Sequence, residues 1–293
     1  MVRGAIGGSG QTCHNDSLVN FSHQRRKMGR IIAVANQKGG VGKTTTSVNV
    51  AASLAATRRR ILLIDLDPQG NATMGSGVDK QDLEISVYDV LMEDKSVADA
   101  VVHSDSGGYD LLPSNADLTG AEVALLEELA REMRLQKALE PIRDQYEFIF
   151  IDCPPALNML TINALVAADS LIIPMQCEYY ALEGLTALLA TIDKIRKYLN
   201  PRLKIEGLLR TMYDPRNNLA SDVSTQLLEH FGDKVYRTII PRNVRLAEAP
   251  SHGLPIIKYD KASRGALAYL ALAGEMLNRA GKTTSMESVV LSK

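Results

Sequence analysis

The chain has 293 residues, 45% of them hydrophobic and 23% charged, and a formal net charge of −1. These values fit a globular protein with a substantial core and exclude a globally basic nucleic-acid binder, although a local basic face stays possible. No apolar run approaches the ~18 residues of a membrane span, and three scattered cysteines (Cys13, Cys153, Cys177) without a C-x-x-C pair point to neither a disulfide framework nor a zinc site. A reduced, cytoplasmic setting is the expectation.

Residues 1–28 carry Gly, Ser, Asn, Gln and basic residues without an apolar period and without the apolar core of a signal peptide. They are expected to form a disordered extension, with Met28 as the native start. An apolar strand follows at residues 31–35, then Asn36-Gln37-Lys38-Gly39-Gly40-Val41-Gly42-Lys43-Thr44-Thr45, then a helical pattern over 46–56. A glycine-rich turn from strand to helix holds phosphate. Gly39, Gly40 and Gly42 let backbone N–H groups converge, and the helix start adds its positive dipole end. Lys43 supplies a mobile cation for the outer phosphates and the Thr44 hydroxyl suits Mg²⁺. The usual pattern G-x-x-x-x-G-K-[ST] is broken at its first glycine, where Gln37 stands, and Lys38 is an additional lysine.

Residues 60–65 read as a buried strand ending in Asp65-Leu66-Asp67-Pro68-Gln69-Gly70-Asn71, and strand ends are where open α/β sheets gather function. A short strand is expected at 109–113 and a helix at 121–140. Residues 148–151 form a second apolar run closing on Asp152, the pattern of a Walker B strand whose acid holds a metal directly or through water. Strands at 171–174 and 203–211 flank a helix at 181–198, and a last helix at 264–279 precedes a flexible tail, 281–293. This alternation predicts an α/β fold, a doubly wound, mostly parallel sheet flanked by helices, in one domain spanning 29–280. Cys153 is expected to be a small buried residue and not a nucleophile.

Lys38 to Thr45 resembles the deviant Walker A motif of the ParA/MinD superfamily of P-loop ATPases, and Asp65 to Asn71 resembles its second signature. Similarity to the ParA/Soj partition ATPases continues through Asp152-Cys153-Pro154-Pro155, residues 176–184 and residues 240–253. The resemblance implies an ATP- and Mg²⁺-dependent homodimer, an ATP sandwich, in which Lys38 reaches the partner's phosphates. It implies catalysis by Lys38, Lys43 and Asp67, the last activating the attacking water. Asp65 would support the metal shell or the loop. Phosphate contacts fall to Lys38, Gly39, Gly40, Val41, Gly42, Lys43, Thr44 and Thr45, and the metal to Thr44 directly and Asp152 through water. Adenine is expected near Met212, Pro241 and Asn243.

Between residues 234 and 264 seven basic residues face two acidic ones, an excess of +5 in a chain of net −1. Such segregation suits sequence-independent binding to DNA phosphates. With the resemblance, Arg216 and Arg245 are the first candidates for DNA contact, then Arg242 and Lys258. The implied role is slow, partner-stimulated hydrolysis in chromosome or plasmid segregation, on the nucleoid, with a ParB/Spo0J-like centromere-binding partner. The alternative is a nucleotide-gated scaffold positioning another cargo. The mainly Ala and Leu helix at 264–279 lacks the basic face of a membrane anchor, no pair of cysteines suits an iron–sulfur carrier, and the first 28 residues are too few for a helix-turn-helix domain.

Overall fold

The computed structural model describes residues 29–179 and 181–290. Seven strands form one sheet: β1 (Arg30–Val34), β2 (Ile61–Asp65), β3 (Val102–Ser104), β4 (Tyr109–Leu112), β5 (Phe148–Asp152), β6 (Ser170–Gln176) and β7 (Lys204–Thr211). Their spatial order is β3-β4-β2-β5-β1-β6-β7, parallel throughout except for β3, which pairs antiparallel with β4 at the edge. The first helices are α1 (Lys43–Ala55), α2 (Asn71–Gly75), α3 (Val87–Met92), α4 (Val97–Ala100), α5 (Leu118–Ala124) and α6 (Arg134–Leu139). The remainder are α7 (Met159–Ala167), α8 (Ala181–Tyr198), α9 (Asn218–Phe231), α10 (Val244–Glu248), α11 (Ile256–Tyr259) and α12 (Arg264–Val290).

The apolar runs are continuous because both faces of the sheet are covered. Along β1, β2 and β5, Ile31, Ala33, Leu62, Ile64, Ile149 and Ile151 enter one buried cluster, beneath α3 to α9. Ile32, Val34, Ile61, Leu63, Phe148 and Phe150 enter the other, against α1, α2, α10, α11 and α12. Strand β1 lies between β5 and β6, so its carboxyl end opens at the point where the strand order reverses. Register brings the ends together: Asp152 pairs with Val34 on one side and with Asp65 on the other.

Two local expectations differ. The helix expected over 121–140 is broken into α5, short 3-10 turns and α6, because Glu128 is extended and Ala130 takes a left-handed φ of +51°, which no continuous helix can cross. The break lets the Arg134 guanidinium donate to the Leu91 carbonyl and pair with Glu128 and Asp94. The last helix continues past Arg279 to Val290. Residues 1–28, with the expected extension and start site, lie outside the described residues, as do 291–293. No helix among the described residues is long and apolar enough to cross a membrane.

Leu63 is fully buried in the cluster beneath α1. Leu63→Ala is expected to lower the unfolding free energy by about 2–5 kcal/mol, the cost of a cavity in a close-packed core, as measured by urea denaturation.

Candidate functional site

The loop between β1 and α1 is tied to two neighbouring strands and braced once within itself. Asn36 Nδ2 donates to the Pro174 carbonyl at 2.8 Å, Asn36 Oδ1 accepts from Lys38 N at 3.0 Å, and Thr211 Oγ1 donates to the Val41 carbonyl at 2.8 Å. Gly40 and Gly42 adopt φ of +71° and +85°, where a Cβ would be strained. The turn delivers Lys43 as the first residue of α1. Its side chain is only 7% exposed, and Nζ donates to the Lys38 carbonyl at 3.2 Å. Burial pulls the Lys43 pKa down, opposed by the charges of Asp152 and Asp67.

Asp65 and Asp152 are both fully buried at neighbouring strand ends. Asp152 accepts from Thr44 Oγ1 at 2.7 Å and from Ser47 Oγ at 2.8 Å, so two hydroxyls one turn apart on α1 grip one carboxylate. Asp65 accepts from Thr73 N at 2.7 Å, Thr73 Oγ1 at 2.8 Å and Asp67 N at 3.2 Å. Of the two roles open to it, these bonds support the loop. Burial pushes both carboxyls well above the ordinary range, and the Asp65 charge adds to the rise at Asp152. Asp67 follows on the same loop, 9% exposed, with Oδ1 accepting from Gln69 N at 3.0 Å.

Gly39, Gly42, Lys43, Thr44, Asp67 and Met212 line a cavity of about 630 Å³, with Thr45 and Gly40 also in its wall. A second cavity of about 310 Å³, lined by Thr211, Met212, Pro241 and Asn243, meets the first at Gly42, Thr45 and Met212. The structure thus brings most of the residues expected around phosphate and base to two cavities that share wall residues; Val41 is buried and lines neither. Met212 holds a left-handed φ of +48°, rare for a side chain of its size, at the junction of the two cavities. Lys38 is different. Its side chain is 42% exposed and pairs at 2.6 Å with Glu178 of its own chain, and it is not among the residues lining the cavity. Ser47, Thr73 and Glu178 receive no role from the sequence; Glu178 lies in the stretch 176–184 that carries the resemblance, and the i+4 step from Lys43 to Ser47 along a helix could have indicated Ser47. Cys153 is buried, with its thiol pushed up by desolvation, as expected of a packing residue.

The basic segment does not form a single patch. Val235 bridges to Leu208 and Pro241 to Tyr213, so Lys234 and Arg237 lie beside the middle of β7, several residues below the end where Arg242 stands. Arg242, Arg245, Lys258, Lys261 and Arg264 are exposed. Arg245 is bonded to Glu248 at 2.9 Å and lies 3.7 Å from Asp260, and Arg216, 88% exposed, makes a two-pronged pair with Asp214.

Among the described residues no cluster of three His, Cys, Asp or Glu side chains is placed to chelate a metal. The donor set that fits a cation is one hydroxyl and one carboxylate, Thr44 and Asp152, which leaves positions for phosphate oxygens and water, as magnesium prefers. A carboxyl raised by burial favours its neutral form, so the stability it contributes is present below the ordinary carboxylate pKa and is lost as pH rises toward neutrality. Acids held down by ion pairs, such as Asp214 at about 2, act only at lower pH. The melting temperature of nucleotide-free, chelator-treated protein is therefore expected to fall between about pH 5 and about pH 7.5, and Asp152→Asn to flatten that slope; an unchanged slope in the variant would contradict the assignment.

A family model described as an AAA domain matches residues 29–205. The sporulation initiation inhibitor protein Soj of Bacillus subtilis is 56% identical over 249 residues, covering 85% of this chain and 98% of that protein. The chromosome partitioning protein ParA of Caulobacter vibrioides is 51% identical over 252 residues, covering 85% and 94%. A crystal structure of cobyrinic acid a,c-diamide synthase from Mycobacterium smegmatis with bound ADP and magnesium superposes with a TM-score of 0.76 at 40% identity, covering 87% of this chain and 96% of that one. The likeness first visible in the phosphate loop thus extends over nearly the whole described fold, and the chain belongs to the ParA/Soj family of chromosome-partitioning proteins within the P-loop ATPases.

Proposed function

We propose that the protein is a cytoplasmic, nucleoid-associated ATPase that closes as a homodimer around two ATP, binds DNA nonspecifically in that state, and releases it after hydrolysis. The observation that carries this reading is the separation of two lysines on one loop. Lys43 lines the nucleotide cavity of its own chain, whereas Lys38 stands outside that lining, half exposed. A lysine so placed suits the phosphates of a second copy, as cations supplied in trans do in other phosphoryl transfers. The bound ADP and magnesium of the Mycobacterium smegmatis structure support the same ligands here.

The chemistry assigns each residue a task. The glycine turn and Lys43 orient the phosphates and offset their charge. Magnesium, when bound at Thr44 and Asp152, supplies further charge neutralisation on the outer phosphates. Asp67 holds the attacking water through the oxygen that Gln69 N does not occupy and accepts its proton as the water oxygen bonds to the γ-phosphorus and the bond from that phosphorus to the β–γ bridging oxygen breaks, releasing ADP and phosphate. Asp65 fixes that loop from behind through Thr73. Met212, Pro241 and Asn243 border the base. Because the site is completed only by a second chain, intrinsic turnover is slow, and a ParB-like partner accelerates it in segregating a chromosome or plasmid.

DNA binding falls to the exposed cations. Arg245 and Arg216 carry carboxylate partners, so their charges reach phosphate only at the cost of exchanging those partners, a small cost for exposed pairs. Arg242 and Lys258 add to the same field.

A titration of random-sequence duplex DNA with ATP, ADP or no nucleotide tests the cycle. Binding is expected with ATP alone, and Asp67→Ala is expected to keep it while hydrolysis falls by at least about 100-fold; equal affinity in all three states would refute the switch. Arg245→Glu is expected to weaken DNA binding and to lower the salt slope by about 1, with nucleotide affinity intact; an unchanged slope would remove Arg245 from the interface.

A further inference from the structure

Two contacts tie the nucleotide loops to the basic segment, and neither belongs to the site described above. Asn49 is buried on α1, one turn beyond Thr45. Its Nδ2 donates to the Thr45 carbonyl at 2.8 Å, and its Oδ1 accepts at 2.7 Å from the backbone N–H of Ile256, the first residue of α11. One amide thus joins the turn carrying Thr44 to the helix carrying Lys258. The second contact joins backbones. Gly77 follows α2, the short helix leaving the Asp67 loop, and Gly253 ends the 3-10 turn Ala249–His252. Both have positive φ, +77° and +61°, and a Cβ on Gly253 would lie 2.9 Å from Gly77 Cα.

The segment resting on these two points is internally braced. Arg245 Nη1 and Tyr259 Oη both donate to Glu248 Oε2, at 2.9 and 3.2 Å, and His252 stacks on Tyr259 with ring centres 5.0 Å apart. Arg245 and Lys258 therefore ride on one unit, docked to the helix after the phosphate loop and to the helix after the Asp67 loop. A buried hydrogen bond on one side and a backbone contact without side-chain slack on the other pass small displacements efficiently, since close-packed groups cannot absorb them.

We infer that Asn49 and the Gly77–Gly253 contact are positioning elements that transmit the nucleotide state to the basic segment 242–264, so that ATP and ADP present Arg245 and Lys258 to DNA differently. This rests on the DNA-binding reading above and adds to it: dimerisation is not the sole source of nucleotide dependence.

The test uses the full chain, a labelled random-sequence duplex, and either ADP or a non-hydrolysable ATP analogue, with nucleotide affinity, dimerisation and melting temperature measured in parallel. Wild type is expected to bind DNA about 5- to 150-fold more tightly with the ATP analogue, the usual span of an allosteric coupling. In Asn49→Ala and in Gly253→Ala that ratio is expected to fall at least about threefold below the wild-type ratio, the part due to dimerisation remaining, while nucleotide affinity and ATP-dependent dimerisation persist. A general loss of stability would not produce that split. A wild-type ratio in either folded variant overturns the inference, as does loss of nucleotide affinity in Asn49→Ala, which would make Asn49 part of the nucleotide site. Should both variants fail to fold, hydrogen exchange in wild type decides: the Ile256 amide is expected to change protection between ADP and the ATP analogue, and identical protection overturns the relay. Equal DNA affinity of wild type in both states refutes the DNA-binding reading itself.

Discussion

Two aspartates are buried side by side at the ends of adjacent parallel strands, and among the described residues neither forms an ion pair with a lysine or arginine. That arrangement governs the rest of the site. Isolated buried carboxylates are unfavourable unless hydrogen bonds or a cation answer them. Asp65 is answered within the protein by the backbone N–H and hydroxyl of Thr73, and the result is a loop held in one shape. Asp152 is hydrogen-bonded by two hydroxyls from α1 and interacts with the charge of Lys43, which directs it toward the end of the phosphate loop. The difference between the two environments separates a structural carboxylate from one suited to a metal.

Much of this was legible in the chain because its signals are local. Continuous apolar runs ending in acids mark buried parallel strands, and the Gly-Lys-Thr order marks the turn that joins strand to helix. The helix α8 emerged with the bounds its period implies, Ala181–Tyr198. What escaped depends on residues far apart in sequence. Lys38 meets Glu178 across 140 positions, Ser47 meets Asp152 across 105, and Asn49 meets Ile256 across 207. No period or spacing encodes such meetings. The stretch 121–140 failed for the opposite reason: its local preference is helical, but Leu129 is 92% exposed, so no burial rewards a continuous helix there, while Arg134 gains three partners from the break.

Counting charge along the chain overstated the basic face. A strand rises about 3.3 Å per residue, so a segment running beside β7 spreads its cations along the edge of the sheet instead of concentrating them. The fold also concentrates the carboxylates on particular cations: Asp214 pairs with Arg216, and both acids of the counted segment, Glu248 and Asp260, lie around Arg245. Arg216 and Arg245 are therefore paired cations, and under the proposed reading they would meet a polyanion by exchange of partners, with a strong response to salt.

The ion pair between Lys38 and Glu178 has a kinetic meaning. In the proposed dimer the lysine must leave a carboxylate of its own chain before it can serve a neighbour, and both side chains are open enough for water to assist the exchange. Each chain alone is then an incomplete enzyme with its spare cation at rest. Under that proposal turnover at low concentration would be second order in protein, and the phosphate loop would make the rate of ATP use a measure of how many copies share the same small volume of the cell.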